Sequence, residues 1–383
     1  MKVTATLLPL GAERKEQWLS MLPDDCRPEE ALFWDIETTG LSRIYDSVYL
    51  IGYLYYQDGE FYLEQHLAEH IADEVDLLLF FLEKIKKHRY LISFNGDTFD
   101  LPFLCERMKR MHIREPLPET KSLDLFRLYR PYQRFLGLPN GKLKTLERFL
   151  GIERQDVMTG GELIEVFYEY SRTDDPGLER VLLLHNYDDV LHLPDLLALK
   201  AFIGYLKTVP LHRACLSGPA SSLHAEENDT ETNRLYLWFE PDTPPPLLLN
   251  TFYALKKNEP SLHLIASPNE GLFLGIPAEE GTLRHYLPNY KDYYVLPDGR
   301  LIHKSLDRPP LGRRASKEDA FLSAAGTFLY WSAAPLPESM HLFRHTEKEK
   351  AGFISLAELS PHLDDPAFAD SLFHSYIPSL GKE

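Results

Sequence analysis

The 383-residue chain has only three cysteines, Cys26, Cys105 and Cys215, widely spaced and odd in number. Neither a disulfide framework nor a zinc site is expected from them. No apolar run approaches the roughly 20 residues of a membrane-spanning helix. The first residues also lack the basic, apolar and small-residue series of a secretory signal. A cytoplasmic, reduced setting is the expectation. Positive charge is scarce too: 41 Lys and Arg against 58 Asp and Glu leave a net charge of −17. That balance speaks against a general nucleic-acid binder, which carries a basic footprint. With 44% hydrophobic residues the chain is long enough for two domains, each with its own core.

The strongest feature is the run Phe33-Trp34-Asp35-Ile36-Glu37-Thr38-Thr39-Gly40-Leu41. In a strand, side chains alternate faces, so Asp35 and Glu37 project to one side. Two adjacent acids repel unless something positive lies between them, and oxygen ligands suit Mg²⁺ or Mn²⁺. Taken singly, the pair also reads as two solvated acids at a strand end. About sixty residues on, Tyr90 to Phe94 is an apolar strand that stops at Asn95-Gly96, a turn signal. Asp100 then falls in the first turn of a helix, where a carboxylate also serves the helix dipole. A third cluster, His185-Asn186-Tyr187-Asp188-Asp189-Val190, sits in a helical pattern from about 177 to 206. His185 and Asp189, four apart, share a helix face.

Together the three clusters resemble the DEDD superfamily of 3′→5′ exonucleases with an RNase H-like fold. Asp35 and Glu37 match its first motif, Asp100 the second and Asp189 the last acid of the third. The closer resemblance is to the bacterial YprB-like group of ribonuclease H-like exonucleases. Its third motif also reads H-N-x-D-D-V, and Leu143 to Ile152 and Leu123-Asp124-Leu125-Phe126 look like its segments. The likeness covers about residues 28–205. The spacing His185-x3-Asp189 differs from both main branches, which carry His-x4-Asp or Tyr-x3-Asp. The resemblance implies a two-ion Mg²⁺ or Mn²⁺ site with Asp35, Glu37, Asp100 and Asp189 as metal ligands. Such ions, about 4 Å apart, activate water and stabilise the leaving oxygen. His185 would orient or deprotonate that water. Thr38, Thr39, Gly40 and Leu41 would touch the terminal nucleotide, Leu41 as a wedge, and Asn95 would lie at the rim. The expected substrate is a single-stranded DNA or RNA 3′ end. A non-catalytic nucleic-acid-binding or regulatory protein on the same fold and a structure-specific endonuclease stay open as alternatives.

The charge objection softens locally. From Cys105 to Arg154 there are twelve Lys and Arg against six Asp and Glu. Lys144, Arg148 and Arg154 belong to this stretch, where cations can face phosphates or simply line a solvated surface.

The expected organisation is an N-terminal extension (1–27), an α/β RNase H-like domain (28–207), a linker (208–232) and a smaller α+β domain (233–383). The first domain should be a mixed sheet flanked by helices. Its strands fall near 31–37, 48–56, 60–66, 90–94 and 121–124. Helices are expected near 70–87, 143–150, 161–171 and 177–206, with Pro194 kinking or dividing the last. In the second domain, 234–239, 247–253, 262–266 and 272–276 read as strands. Lys317–Trp331 reads as a helix with Ala320, Phe321, Ala324 and Phe328 on one face. Tyr286, Tyr290, Tyr293 and Tyr294 alternate with Arg284, Lys291 and Arg300, a texture that fits either a packed core or a surface for stacking single strands.

Overall fold

The structure, a computed structural model, describes residues 1–114, 116–156, 158–217, 233–254, 259–331, 336 and 339–377. The chain divides into two compact units, Met1–Arg134 with Leu138–Ala201, and Phe135–Gly137 with Phe202–Glu383.

The first unit is built on strands β1 (Lys2–Leu7), β2 (Ala31–Thr38), β3 (Val48–Gln57), β4 (Glu60–Leu67), β5 (Tyr90–Ser93) and β6 (Lys121–Asp124). They form one sheet in the order β1-β4-β3-β2-β5-β6. The first four pair antiparallel, while β5 runs parallel to β2 and β6 parallel to β5. The helices are α1 (Ala12–Ser20), α2 (Glu74–Ile85), α3 (Asp100–Arg110), α4 (Leu125–Tyr129), α5 (Leu143–Phe149), α6 (Gly160–Thr173), α7 (Pro176–Leu191) and α8 (Leu193–Thr208). This is the α/β mixed sheet flanked by helices that the pattern called for. The expected last helix is indeed divided: α7 ends at Leu191 and α8 begins at Leu193, one residue before Pro194. A proline inside a continuous helix would lack its hydrogen bond and clash with the preceding turn.

Residues 1–27 are more than an extension. Lys2–Leu7 pairs along β4 from Lys2↔Leu67 to Leu7↔Tyr62, adding an edge strand. Trp18 of α1 is buried, edge-on to Phe61 at 5.2 Å. Its indole N–H donates to Asp195 at 2.6 Å. A free sheet edge offers a ladder of unpaired donors and acceptors, and the first strand fills it.

Because β2 alternates, its two faces meet different partners. Trp34 packs on Phe81 of α2 with ring centroids 5.1 Å apart. Asp35 lies opposite Gly52 of β3, on the face that α7 approaches. A Cβ on Gly52 would lie 2.1 Å from Asn186 Oδ1 and 2.8 Å from Val190 Cγ2. The glycine is the gap into which α7 settles.

The second unit is mostly β. Strands β7 (Leu211–Leu216), β8 (Arg234–Pro241), β9 (Leu249–Tyr253), β10 (Leu262–Ser267), β11 (Gly271–Tyr286), β15 (Phe321–Trp331), β16 (Leu342–Phe343) and β17 (Gly352–Ser355) form an eight-stranded sheet. β12 (Tyr293–Val295), β13 (Leu301–His303) and β14 (Arg313–Arg314) form a small one. Helices α9 (Leu356–Leu359) and α10 (Pro366–Tyr376) close the chain. Two expectations change here. The segment read as a helix over Lys317–Trp331 is strand β15, paired with β11 from Ala278↔Leu329 to Tyr286↔Phe321. Its alanines suit a helix, but Thr327, Phe328, Tyr330 and Trp331 suit a pleated surface, and a sixteen-residue partner strand settles it. The linker expected over 208–232 opens with a strand, β7, paired with β8; residues 218–232 lie outside the described residues. Among the described residues no helix is long and apolar enough to cross a membrane.

Gly52→Ala should cost about 1–3 kcal/mol, the usual penalty for overpacking, because α7 must retreat from the sheet. Urea unfolding of the two proteins checks it; an unchanged midpoint would mean that α7 is not seated in this gap.

Candidate active site

The site is built where β2, α3 and α7 meet. β2 carries Asp35 and Glu37 to its C-terminal end, and the β2–β3 register shifts between Glu37 and Thr38. Such a bulge re-aims the side chains beside it. Parallel pairing of β2 with β5 stops at Phe33↔Ile92. The N–H of Ile36, beyond that ladder, turns to the carboxyl of Asp100. Asp100 is the first residue of α3 and is buried. The turn before α3 is held by Asp124, which accepts from the N–H groups of Asn95 (2.9 Å) and Asp97 (3.1 Å) while capping α4. Asn95 itself has φ +68, a left-handed turn that asparagine tolerates. Its side chain is bound to the Thr98 hydroxyl.

The third motif uses nearly every polar residue. The amide of Asn186, wholly buried, donates to Asp35 at 3.3 Å and accepts from Gln65 at 3.0 Å. Asp188 accepts the N–H groups of Gln155 and Asp156 at 2.9 and 2.8 Å, pinning the 154–156 segment against α7. That segment supplies two further groups. Asp156 accepts from Nδ1 of His185 at 2.7 Å, and Arg154 binds the carboxylate of Asp189. Arg154 is anchored from behind by Glu147 at 2.9 and 3.0 Å, and by the His185 carbonyl at 3.4 Å.

The resulting electrostatics are those of acids crowded out of water. Burial raises the carboxyls of Asp35 and Glu37 well above their ordinary range, and Asp189 and Asp100 push them further. Asp100 is pushed up to about 7, again chiefly by burial, with Asp124 and Asp189 adding to it and backbone N–H groups opposing. Asp156 goes the other way. Burial works against it, but the ammonium of Lys144 at 2.8 Å, the Met158 N–H and His185 hold it below the usual range. An ionised Asp156 accepts a hydrogen bond, so the His185 proton sits on Nδ1. Nε2 then faces Glu37 Oε1 at 3.6 Å and Asp189 Oδ2 at 3.5 Å.

These groups fit a divalent cation. Glu37, His185 and Asp189 each offer a ligand atom within 4.8 Å of the others. Glu37 Oε1 is buried with no hydrogen-bond partner, and a buried bare acceptor is costly. Carboxylate oxygens beside an imidazole nitrogen are donors that a divalent cation takes.

Asp35, Glu37, Asp100, His185 and Asp189 are therefore brought together. Thr38 to Leu41 continue directly from Glu37; the Thr38 hydroxyl donates to the Gly40 carbonyl at 2.7 Å, and Thr39 and Ser47 exchange hydrogen bonds at 2.9 Å. Leu41 is 84% exposed. Lys144 and Arg154, two of the cations expected to face phosphates or solvent, are ion-paired: Lys144 with Asp156, and Arg154 with Glu147 and Asp189. Residues missed from the sequence are Asp156, Asn186, Asp188, Glu147 and Asp124. Asn186 and Asp188 lie inside the third cluster, Asp124 in the Leu123–Phe126 segment and Glu147 in the Leu143–Ile152 segment. No local signal marked Asp156.

Residues 32–200 match the family RNase_H_2, described as RNase_H superfamily. The matched residues lie almost wholly in the first unit, whose mixed sheet flanked by helices is RNase H-like. The chain is 27% identical over 213 residues to the uncharacterized protein YprB of Bacillus subtilis (strain 168), covering 54% of this chain. It spans about half, 47%, of that relative's length. The family B DNA polymerase of the hyperthermophilic archaeon Pyrobaculum calidifontis matches over 90% of this chain and 42% of its own, at 17% identity and a TM-score of 0.36.

In a chelator, stability should fall as pH rises. The folded state holds protons on Asp35, Glu37 and Asp100 more tightly than the unfolded chain does, so the favourable contribution is full below about pH 4. It is lost as pH climbs through about 7, the value for Asp100. Melting curves from pH 4 to 8 in EDTA, repeated with Mn²⁺, check this. Mn²⁺ should restore the loss, and the double change Asp35→Ala, Glu37→Ala should abolish the restoration.

Proposed function

We propose that the protein is a metal-dependent 3′→5′ exonuclease acting on single-stranded DNA or RNA, with two Mg²⁺ or Mn²⁺ ions as cofactors. The observation that carries this reading is the convergence of four carboxyls and His185 around the unpartnered Glu37 Oε1. Asp35, Glu37, Asp100 and Asp189 are the metal ligands in this reading. Divalent ions held there supply positive charge to the phosphate and acidify water.

The remaining chemistry belongs to the chain. His185, its Nδ1–H fixed by Asp156, presents Nε2 to the space between Glu37 and Asp189 and accepts the proton of the attacking water there. Imidazole is the side chain most often found in that role. Arg154 holds Asp189 in place and offsets its charge, and Asn186 holds Asp35. Thr38 to Leu41 line the approach of the terminal nucleotide, with Asn95 at the rim. Lys144 acts through Asp156. The second unit contributes substrate binding without a share in the chemistry.

Purified protein with end-labelled single- and double-stranded DNA and RNA, in Mg²⁺, Mn²⁺ and EDTA, tests the reading. Ladders from the 3′ end support it, internal cuts point to an endonuclease, and binding without cutting points to a non-catalytic role. His185→Ala should lower the rate by roughly 10²–10⁴-fold with metal binding nearly intact. Asp189→Asn should be worse, since it removes a ligand. A His185→Ala rate within threefold of wild type would make His185 a bystander.

A further inference from the structure

Three of the four acids at the site receive a hydrogen bond from the chain. Asp35 accepts from Asn186 at 3.3 Å, Asp189 from Arg154, and Asp100 from the backbone N–H of Ile36. Glu37 Oε1 receives none, although it is buried. Carboxylates that bind metals are themselves hydrogen-bonded by groups behind them, and those groups set both orientation and affinity. For Glu37 that place is open.

Tyr49 stands beside it. In the β2–β3 ladder Glu37 pairs with Leu50 and Thr38 with Val48. Tyr49 is thus the extra residue of the bulge, set against the junction of Glu37 and Thr38. A bulge breaks the strict alternation of its strand and re-aims the side chain there. The Tyr49 ring stacks on Phe167 of α6, with centroids 4.3 Å apart and an interplanar angle of 14°. Helix α6 in turn packs on α7, which puts the ring on the face of the sheet that Asp35 and Glu37 share. The phenol feels both acids. Burial first, and then the charges of Glu37 and Asp35, push it well above the ordinary tyrosine value. It therefore keeps its proton and remains a donor.

That donor is unused. The side chain is 1% exposed, and its hydroxyl has no hydrogen-bond partner. A buried hydroxyl left bare costs on the order of 1–3 kcal/mol. Phenylalanine would stack on Phe167 equally well without that cost. A bare donor and a bare acceptor, both buried, meet at one bulge.

We propose that Tyr49 is a positioning residue of the cation site: its hydroxyl donates to the Glu37 carboxylate when that carboxylate turns to a bound divalent cation. Glu37 then joins Asp35, Asp100 and Asp189 in having a donor behind it. This rests on the reading of Glu37 as a metal ligand above, and adds to it a residue from β3, a strand that carries none of the four acids.

Calorimetry of Mn²⁺ binding to the full chain, with melting curves in EDTA, tests this on Tyr49→Phe, which keeps the ring and removes only the oxygen. Mn²⁺ affinity should fall about 10- to 100-fold, the usual effect of losing a group that orients a metal ligand. In EDTA the variant should melt at the wild-type temperature or above it, since an unpaired buried hydroxyl has gone. A change in affinity below about fivefold, half the smallest loss such a group gives, overturns the proposal and leaves the metal site standing. Weaker affinity together with a lower melting temperature in EDTA also overturns it, because the hydroxyl then serves the fold. Should wild type bind no Mn²⁺, the role of Tyr49 and the metal-ligand reading fall together.

Discussion

Carboxylates brought together away from water repel one another, and the architecture of the first unit is organised around that cost. Asp35 and Glu37 come from one strand, Asp100 from the start of α3 and Asp189 from α7. Asp35, Glu37 and Asp100 are desolvated by the packing that places them. Like charges at such range cannot all ionise without a counter-charge. The chain offsets part of this itself: Arg154 lies on Asp189, and backbone N–H groups reach Asp100. What it leaves uncompensated, Glu37 Oε1 above all, is where a cation would be bound most strongly.

Precision at such a site depends on the groups behind it. Helix α7 is the main instrument. Gly52 lets it approach the sheet, Asn186 ties it to Asp35, and Asp188 fastens the 154–156 segment to it. That segment returns Asp156 to His185 and Arg154 to Asp189. Four polar residues of one helix, His185, Asn186, Asp188 and Asp189, thus lock together a strand, a loop and the site. The arrangement explains why a histidine at tyrosine spacing can still be aimed: its orientation is set by Asp156, from outside the helix.

The acidic net charge and the proposed nucleic-acid substrate are reconciled locally. Cations at the site are ion-paired, with Arg154 on Glu147 and Asp189 and Lys144 on Asp156. In the proposed function, affinity for a strand would then come from cations bound at the cluster. In the second unit several cations likewise lie over rings of that unit, such as Arg284 over Phe321 at 4.6 Å and Arg308 over Tyr294 at 5.8 Å.

Residue order alone determined the sheet-and-helix alternation of the first unit, because strand and helix periods are local properties and Gly, Pro and Asn mark their ends. It also placed Asp35 and Glu37 on one face and put His185 with Asp189, since both follow from the repeat of a single element. Tertiary structure decided what local pattern cannot carry. Lys2–Leu7 became a strand because β4 had an open edge, and Phe321–Trp331 became one because β11 supplied a partner. The charges of Lys144 and Arg154 were legible, but their targets were not, as those come from residues distant along the chain or on another element. Asp156 was invisible for the same reason: it matters only because α7 folds back to set His185 beside it.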